Sequence, residues 1–470
     1  MKCCPKFCNL LLARNFHSFR VVGGIYGEFI HTAIFPFWFR QVQNRKDAVR
    51  YVIIGGGPAG IFAAEAIRRR DRSSPIVIVT DEGEIARSPV MLTYWIGGEA
   101  PREGIRFRDP SWAEMNRVDL QLCRRVVALK TSAQKLILEK GEEVPYDRLL
   151  IATGSSPISL PIPGAGLKGV HSLRQVSDAD AILGAIPTLR QVLIIGGGFI
   201  GLKIASQMKE RGVEVLILEK ENRLAPRMFD VKASLFLVNL LGRKGIRVET
   251  GVEVEEILGK AGQVDAVRMK DSRVFPGQMV IQSVGVRPNT AFLTGSGITL
   301  ERGIPVNPRM ETNVPGIYAA GDVAVTLDSI TGEKVNNATW PAASRQGTVA
   351  GTNMAGWNLS YVHNLSLNAF HLCGVPVMAA GNSGETSGQV LVEEGPDFYR
   401  KILLKDGRLT GFILIGKVSQ AGFLLALMKK KDLLSNAGLI PESLLRRKQL
   451  PQGYGYRHGS LFIRSTGERS

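Results

Sequence analysis

The chain has few of the residues on which several common functions depend. Its 470 residues include five cysteines, Cys3, Cys4, Cys8, Cys123 and Cys373. An odd number with no even framework does not make the disulfide scaffold of a secreted protein, so a reducing, cytoplasmic setting is expected. Cys3, Cys4 and Cys8 have no matching Cys/His pair to complete a zinc site, and the six histidines never fall at an H-x-x-x-H spacing. No metal is therefore assigned. Aromatics make up only 7% and the basic runs are short, at Arg68–Arg70, Lys429–Lys431 and Arg446–Lys448, a composition that disfavours nucleic-acid binding. Prolines number 23 against 52 glycines, and the glycines follow no G-X-Y period. That excludes a collagen-like fibre and points to tight turns and close backbone approaches.

The length and the 44% hydrophobic content suffice for two or three domains with their own cores. The formal charge of +17 calls for an anionic partner, with cofactor phosphates, an acidic carrier protein and a membrane surface all open. Residues 1–49 read differently from the rest. Lys2, Lys6, Arg14 and Arg20 precede the first acid, Glu28, and an apolar stretch runs from Val21 to Phe39. A membrane anchor would bury Glu28 near its middle, and a transit peptide fits only loosely. The segment is expected to be an extension, disordered or outside the fold.

The informative part begins at Tyr51. An apolar run to Ile54 leads into Gly55-Gly56-Gly57-Pro58-Ala59-Gly60 and then a helical pattern through Ile61, Ala64, Ile67 and Arg70. In such a strand, turn and helix the first glycine makes the turn, the second lets the backbone approach a pyrophosphate, and the third lets the helix pack on the strand. The helix N-terminus then faces the phosphates with free amides. A second strand, Ile76 to Val79, ends at Asp81 and Glu82, placed to accept from ribose hydroxyls. The pattern recurs. Val192 to Ile195 enter Gly196-Gly197-Gly198-Phe199-Ile200-Gly201, a helix runs to about Arg211, and the strand Val213 to Leu218 ends at Glu219. A carboxylate there favours NADH over NADPH, although Lys220 and Arg223 keep NADPH open.

Two further stretches, Tyr146 to Gly154 and Gly316 to Val323, complete a pattern that resembles the pyridine nucleotide-disulfide oxidoreductase class. The resemblance covers roughly residues 50 to 450. It is greatest to the branch without a redox disulfide, including rubredoxin and ferredoxin reductases and the flavin-binding part of nitrite reductase. It implies an α/β fold of two Rossmann-like three-layer dinucleotide-binding domains, the second inserted in the first, plus a smaller α+β C-terminal domain. The expected limits are 50–162 with 282–357 for FAD, 163–281 for NAD(P), 358–448 for the C-terminal domain and 449–470 for a tail. By the same resemblance Asp322, after Gly321, bonds the ribityl chain, and Val126, Thr153 and Gly154 line the FAD site. Trp340 begins the helix under the flavin, and Gly285 joins the nicotinamide side. Tyr399 to Leu404 and Leu409 to Ile415 read as a hairpin across Asp406-Gly407, followed by a basic amphipathic segment from Gly422 to Leu434.

Departures from the class narrow the chemistry. Relatives that reduce disulfides need cysteines on the helix after the first unit, where this chain has Arg87 to Tyr94 without one. Many relatives pair a glutamate on the second-fingerprint helix with a lysine near the position of Tyr94, whereas here the helix carries Lys203. The expected activity is FAD-dependent NAD(P)H oxidation with electrons passed to a redox protein, an acidic carrier such as rubredoxin or ferredoxin or a nitrite-reductase component. Alternatives are a membrane-associated quinone-type dehydrogenase or a non-catalytic flavin sensor within a complex, and a homodimer is open. If Lys203 and Tyr94 surround the flavin, Lys203→Glu lowers its reduction potential in spectroelectrochemical titration. An unchanged potential removes Lys203 from the mechanism.

Overall fold

The computed structural model describes residues 48–362, 365–384 and 387–431, with the backbone of 454–457 and 460–463. The cationic start and apolar stretch of the extension lie outside the described residues. The first unit is built on a parallel five-stranded sheet of order β19-β7-β1-β2-β3. Its strands are β1 (Tyr51–Ile54), β2 (Ile76–Val79), β3 (Val118–Gln121), β7 (Arg148–Ile151) and β19 (Ile317–Ala319). All four residues of β1 are buried, as expected for a central parallel strand covered on both faces. Helix α1 (Pro58–Arg70) crosses from β1 to β2, and α2 (Pro89–Gly97) and the single turn α3 (Trp112–Met115) precede β3. Between β3 and β7 lies a three-stranded antiparallel sheet of β4 (Val126–Lys130), β5 (Lys135–Leu138) and β6 (Glu143–Pro145).

The second unit repeats this plan. Its sheet, β12-β11-β10-β16-β9, pairs β9 (Val170–His171), β10 (Gln191–Ile195), β11 (Glu214–Glu219), β12 (Ile246–Thr250) and β16 (Met279–Gln282) in parallel. Helices α4 (Val176–Ala185), α5 (Phe199–Glu210) and α6 (Val231–Arg243) accompany it. The antiparallel sheet of β13 (Val254–Lys260), β14 (Gln263–Met269) and β15 (Val274–Pro276) stands where β4–β6 stand in the first unit. The chain leaves the first unit along β8 (Ser155–Pro157) and returns along β17 (Val286–Pro288), and these two strands pair with each other. The return passes β18 (Ile304–Pro305), β19, β20 (Ala324–Leu327) and β21 (Lys334–Val335) to α7 (Trp340–Met354).

Helix α7 packs on α1 through glycine. A Cβ on Gly347 or Gly351 would overlap the carbonyl oxygens of Ala59 and Ala63, so the two backbones touch. Beyond α7, a five-stranded antiparallel sheet of order β22-β23-β26-β25-β24 is formed by β22 (Leu367–Leu372), β23 (Val375–Gly381), β24 (Gln389–Gly395), β25 (Phe398–Lys405) and β26 (Arg408–Ile415). The expected hairpin is β25–β26. Helix α8 (Ala421–Lys430) covers this sheet with Leu424, Leu425 and Met428, and the amphipathic segment is described only to Lys431. Within the expected tail, β27 (Tyr454–Arg457) and β28 (Ser460–Ile463) pair antiparallel.

A buried ion pair joins the C-terminal sheet to the second unit. Lys401, with 1% of its side chain exposed, places Nζ 2.9 Å from Asp230 Oδ2 and donates to the Ser383 carbonyl at 3.0 Å. The Tyr399 hydroxyl donates to the same carboxylate at 3.2 Å, and its own ionisation is driven far up, first by burial and then by that negative neighbour. Asp230 also caps α6 by accepting from Ala233 N at 2.9 Å. Lys401→Met should cost about 3–5 kcal/mol by stranding the carboxylate. Adding Asp230→Asn, which keeps a capping side chain, should restore most of it. Denaturant midpoints of the two single variants and the double variant measure this, and a Lys401→Met loss under about 0.5 kcal/mol would show the pair to be inert.

Candidate functional site

The two glycine turns are near copies. Gly55 has φ 113° and Gly196 φ 107°, and their amides donate to Val79 O and Leu218 O, each at 2.8 Å. A Cβ on Gly55 would strike the Ala152 carbonyl, and one on Gly196 the Ser283 carbonyl. Gly60 and Gly201 lie equally close to the carbonyls of Gly55 and Gly196. Only hydrogen fits at these four positions. Gly57 and Gly198, by contrast, have open space where a Cβ would stand, and they precede the first turns of α1 and α5. First-turn amides lack partners within a helix, so each turn exposes donors toward empty space.

In the first unit that space is a cavity of about 810 Å³, within the range of dinucleotide and cofactor clefts. It is lined by Gly55, Gly57, Pro58 and Ala59 at the turn, by Asp81, Glu82 and Val126 at one end, and by Thr153, Gly154, Gly321 and Asp322. Pro89, Leu92, Ile105 and Val176 supply an apolar wall. Five arginines (Arg87, Arg124, Arg125, Arg174 and Arg287) face it against three carboxylates (Asp81, Glu82 and Asp322), a balance that suits a pyrophosphate between two less charged ends. By volume, open glycine cradle and charge, these residues fit FAD.

Several of the lining groups engage one another. Asp322 Oδ2 accepts from Ser155 Oγ at 2.9 Å and lies 3.3 Å from the Arg174 guanidinium. Arg174 follows β9, so the second unit supplies a cation to the cavity of the first. Asp81 pairs with Arg125 at 3.3 Å, and Glu82 with Arg87 at 3.4 Å. Burial pushes the Glu82 carboxyl up, against the pull of the Arg87 charge. Thr153 and Gly154 are knitted to Asn289: its side chain donates to Thr153 O at 2.9 Å, its amide donates to Gly154 O at 3.0 Å, and Thr153 Oγ1 donates to its carbonyl at 2.8 Å. Sequence reasoning did not single out Arg174 or Asn289. The polar Arg174 beside an insertion boundary and the Asn289 after Pro288 were the available signals.

Around the second turn, Glu219 is 8% exposed and accepts from Gly197 N at 2.5 Å and Glu221 N at 2.8 Å. Its carboxylate is thus fixed at the turn by two amides. Lys220 is paired with Glu253 at 3.2 Å, and Arg223 donates to the carbonyls of Phe229 and Pro226. Phe199 packs on Phe229 and Phe370, whereas Ile200 is exposed. Gly285 has φ 114° and its carbonyl accepts from Ile158 N at the paired β8–β17 link.

Lys203, Tyr94 and Trp340 do not line the cavity. Lys203 is buried, with Nζ 3.9 Å from the centre of the Tyr94 ring and 3.8 Å from Glu99 Oε1. Burial lowers its basicity and the Glu99 charge partly restores it. The structure brings these two expected residues together at the seam between α2 and α5. Gln207 Nε2 donates to Glu99 Oε1 there at 2.6 Å, and Arg211 Nε to Ile96 O at 2.9 Å. Pro89 and Leu92, not Tyr94, are the α2 residues on the cavity, because the two residues from Leu92 to Tyr94 rotate a helix side chain by about 200°. Trp340 stands edge-on to Phe62 at 5.7 Å and to Phe107 at 5.6 Å. Among the described residues the cysteines are Cys123 and Cys373, both free and neither on the cavity. No group of three potential metal ligands occurs among those residues either.

Known proteins share this arrangement. Residues 49–347 match the model of the pyridine nucleotide-disulphide oxidoreductase family. The epsilon subunit of an NADH-dependent phenylglyoxylate dehydrogenase from Aromatoleum evansii is 30% identical, over 83% of this chain and 93% of that subunit. An NAD(P)H nitrite reductase from Bacillus subtilis is also 30% identical over 83% of this chain, which spans only 48% of that enzyme. Among solved structures, the NADH:rubredoxin oxidoreductase of Clostridium acetobutylicum superposes with a TM-score of 0.70 at 25% identity, covering 85% of this chain and 100% of the other. The repeated glycine turns, the inserted second sheet and these matches lead to one conclusion: the chain belongs to the pyridine nucleotide-disulphide oxidoreductase family.

Proposed function

We propose that the chain oxidises NADH with bound FAD and delivers the electrons to a separate, acidic redox protein. The observation that carries this is the duplicated glycine turn, one copy opening on a cavity that fits FAD and the other held beside a fixed carboxylate. Residues 50–162 with 282–357 would form the FAD unit, and 163–281 the NAD unit. Bound FAD supplies a two-electron acceptor that can release its electrons one at a time. The amides after Gly57 and the arginines of the cavity would hold its pyrophosphate, Asp322 its ribityl hydroxyls, and Asp81 or Glu82 its ribose. Pro89, Leu92, Ile105 and Val176 would exclude water from the reacting end.

The residues at the second turn favour NADH. A 2′-phosphate would meet the Glu219 carboxylate, and the two nearby cations are already committed, Lys220 to Glu253 and Arg223 to backbone carbonyls. With no cysteine on α2, a thiol relay has no place between flavin and acceptor. The relatives' names support an outward transfer, since one is a subunit of a larger dehydrogenase and another reduces rubredoxin. No helix among the described residues is long and apolar enough to cross a membrane, and a cytoplasmic setting is proposed.

Anaerobic titration of the FAD-loaded chain checks the reading. About one equivalent of NADH should bleach the flavin absorbance, with NADPH at least about tenfold less effective, the loss expected where a phosphate meets a carboxylate. A chain that takes up no FAD would overturn the proposal.

A further inference from the structure

The two dinucleotide-binding units are joined by a ribbon of little intrinsic stiffness. The outgoing strand β8 and the returning strand β17 pair over only three positions, Ser155 with Pro288, Ser156 with Arg287 and Pro157 with Val286. Two of these six residues are prolines, which bring no amide hydrogen to the ladder. Each strand is entered through a glycine at positive φ, Gly154 at 66° and Gly285 at 114°, where no side chain limits backbone rotation. A two-stranded ribbon this short, with so few donors, is marginal by itself.

Asn289, the residue after β17, closes the base of the ribbon. All four of its polar groups reach back to the outgoing chain. Its amide donates to Gly154 O at 3.0 Å, and its carbonyl accepts from Thr153 Oγ1 at 2.8 Å. Its Nδ2 donates to Thr153 O at 2.9 Å, and its Oδ1 accepts from Ser156 Oγ at 2.8 Å. A carboxamide sets a donor beside an acceptor, as these two contacts require, whereas an aspartate would turn an oxygen against the Thr153 carbonyl. Thr153 follows Ala152, whose carbonyl a Cβ on Gly55 would strike, so the clasp bears on the wall beside the first glycine turn.

We infer that Asn289 is a positioning residue that pins the pivot between the two units and so holds the gap that the hydride crosses, an inference that rests on the function proposed above. The step moves one hydride, with both its electrons, from NADH to FAD and leaves NAD+, while a solvent proton completes the reduced flavin. Such a transfer tolerates little error, since about 1 Å of misplacement costs on the order of a hundredfold in rate. Other ties between the units run through long side chains, Arg174 to Asp322 and Gln207 to Glu99, which can follow a rotation by changing rotamer. Three of the four Asn289 bonds, in contrast, involve backbone at the pivot itself.

The test uses the full chain at saturating FAD, with Asn289→Ala, Asn289→Asp and the milder Ser156→Ala. In anaerobic stopped flow at saturating NADH, flavin bleaching should slow by at least about tenfold in both Asn289 variants and by a few-fold in Ser156→Ala. Dithionite, which needs no nicotinamide, should bleach parent and variants at the same rate. Hydrogen exchange read by mass spectrometry should quicken in peptides covering 153–160 and 284–290, with those of β1 and β10 unchanged. Variants that NADH reduces at the parent rate overturn the inference, and so does ribbon exchange at the parent rate. Slowing with dithionite as well as NADH overturns it too, because that marks a disturbed flavin site. If Asn289→Ala takes up no FAD, Ser156→Ala is read by the same outcomes. A loaded parent that NADH does not reduce would instead sink the proposed function itself.

Discussion

The structure depends on the absence of a side chain at four glycines. Gly55 and Gly196 bring a strand end against a neighbouring carbonyl, and Gly60 and Gly201 press the following helix onto the turn. A single methyl at any of these would push the helix away from the sheet and swing its N-terminus off the space it faces. The close packing continues outward, since Gly347 and Gly351 let α7 lie directly on the backbone of α1. At the glycine turn the cavity is therefore bounded by backbone, which cannot change rotamer.

Charge is organised around that rigid frame. The second turn holds Glu219 by two amides, so the carboxylate is an immobile part of the loop. The first cavity takes most of its cations from outside the glycine turn, and one of them, Arg174, reaches across from the inserted unit to Asp322. The units are further tied by the α2–α5 seam of Glu99, Lys203, Gln207 and Arg211 and, more distantly, by Lys401 with Asp230. These contacts set how the two dinucleotide-binding turns face each other, and a hydride can pass only over a short, fixed gap.

Output is shaped by what α2 lacks. The stretch from Arg87 to Tyr94 carries no cysteine, and its Pro89 and Leu92 give the cavity part of its apolar wall. Lys203 and Tyr94 meet as a cation against a ring face, with Glu99 as the outer partner.

The sequence by itself determined the elements governed by local rules: glycine turns between an apolar strand and a helix, the acids at Asp81 and Glu219, the β25–β26 hairpin around Asp406-Gly407, and the missing cysteine. Each is a matter of spacing along the chain, and backbone sterics translate spacing directly into shape. Tertiary structure alone decided which distant groups meet. Asn289 locks Thr153 from 136 positions away, Arg174 reaches Asp322, Trp340 joins Phe62 and Phe107, and Lys203 turns to Tyr94 and away from the cavity. Such pairings depend on how helices rotate and sheets stack, and that is settled by burial summed over the whole core, which no short window of residues contains.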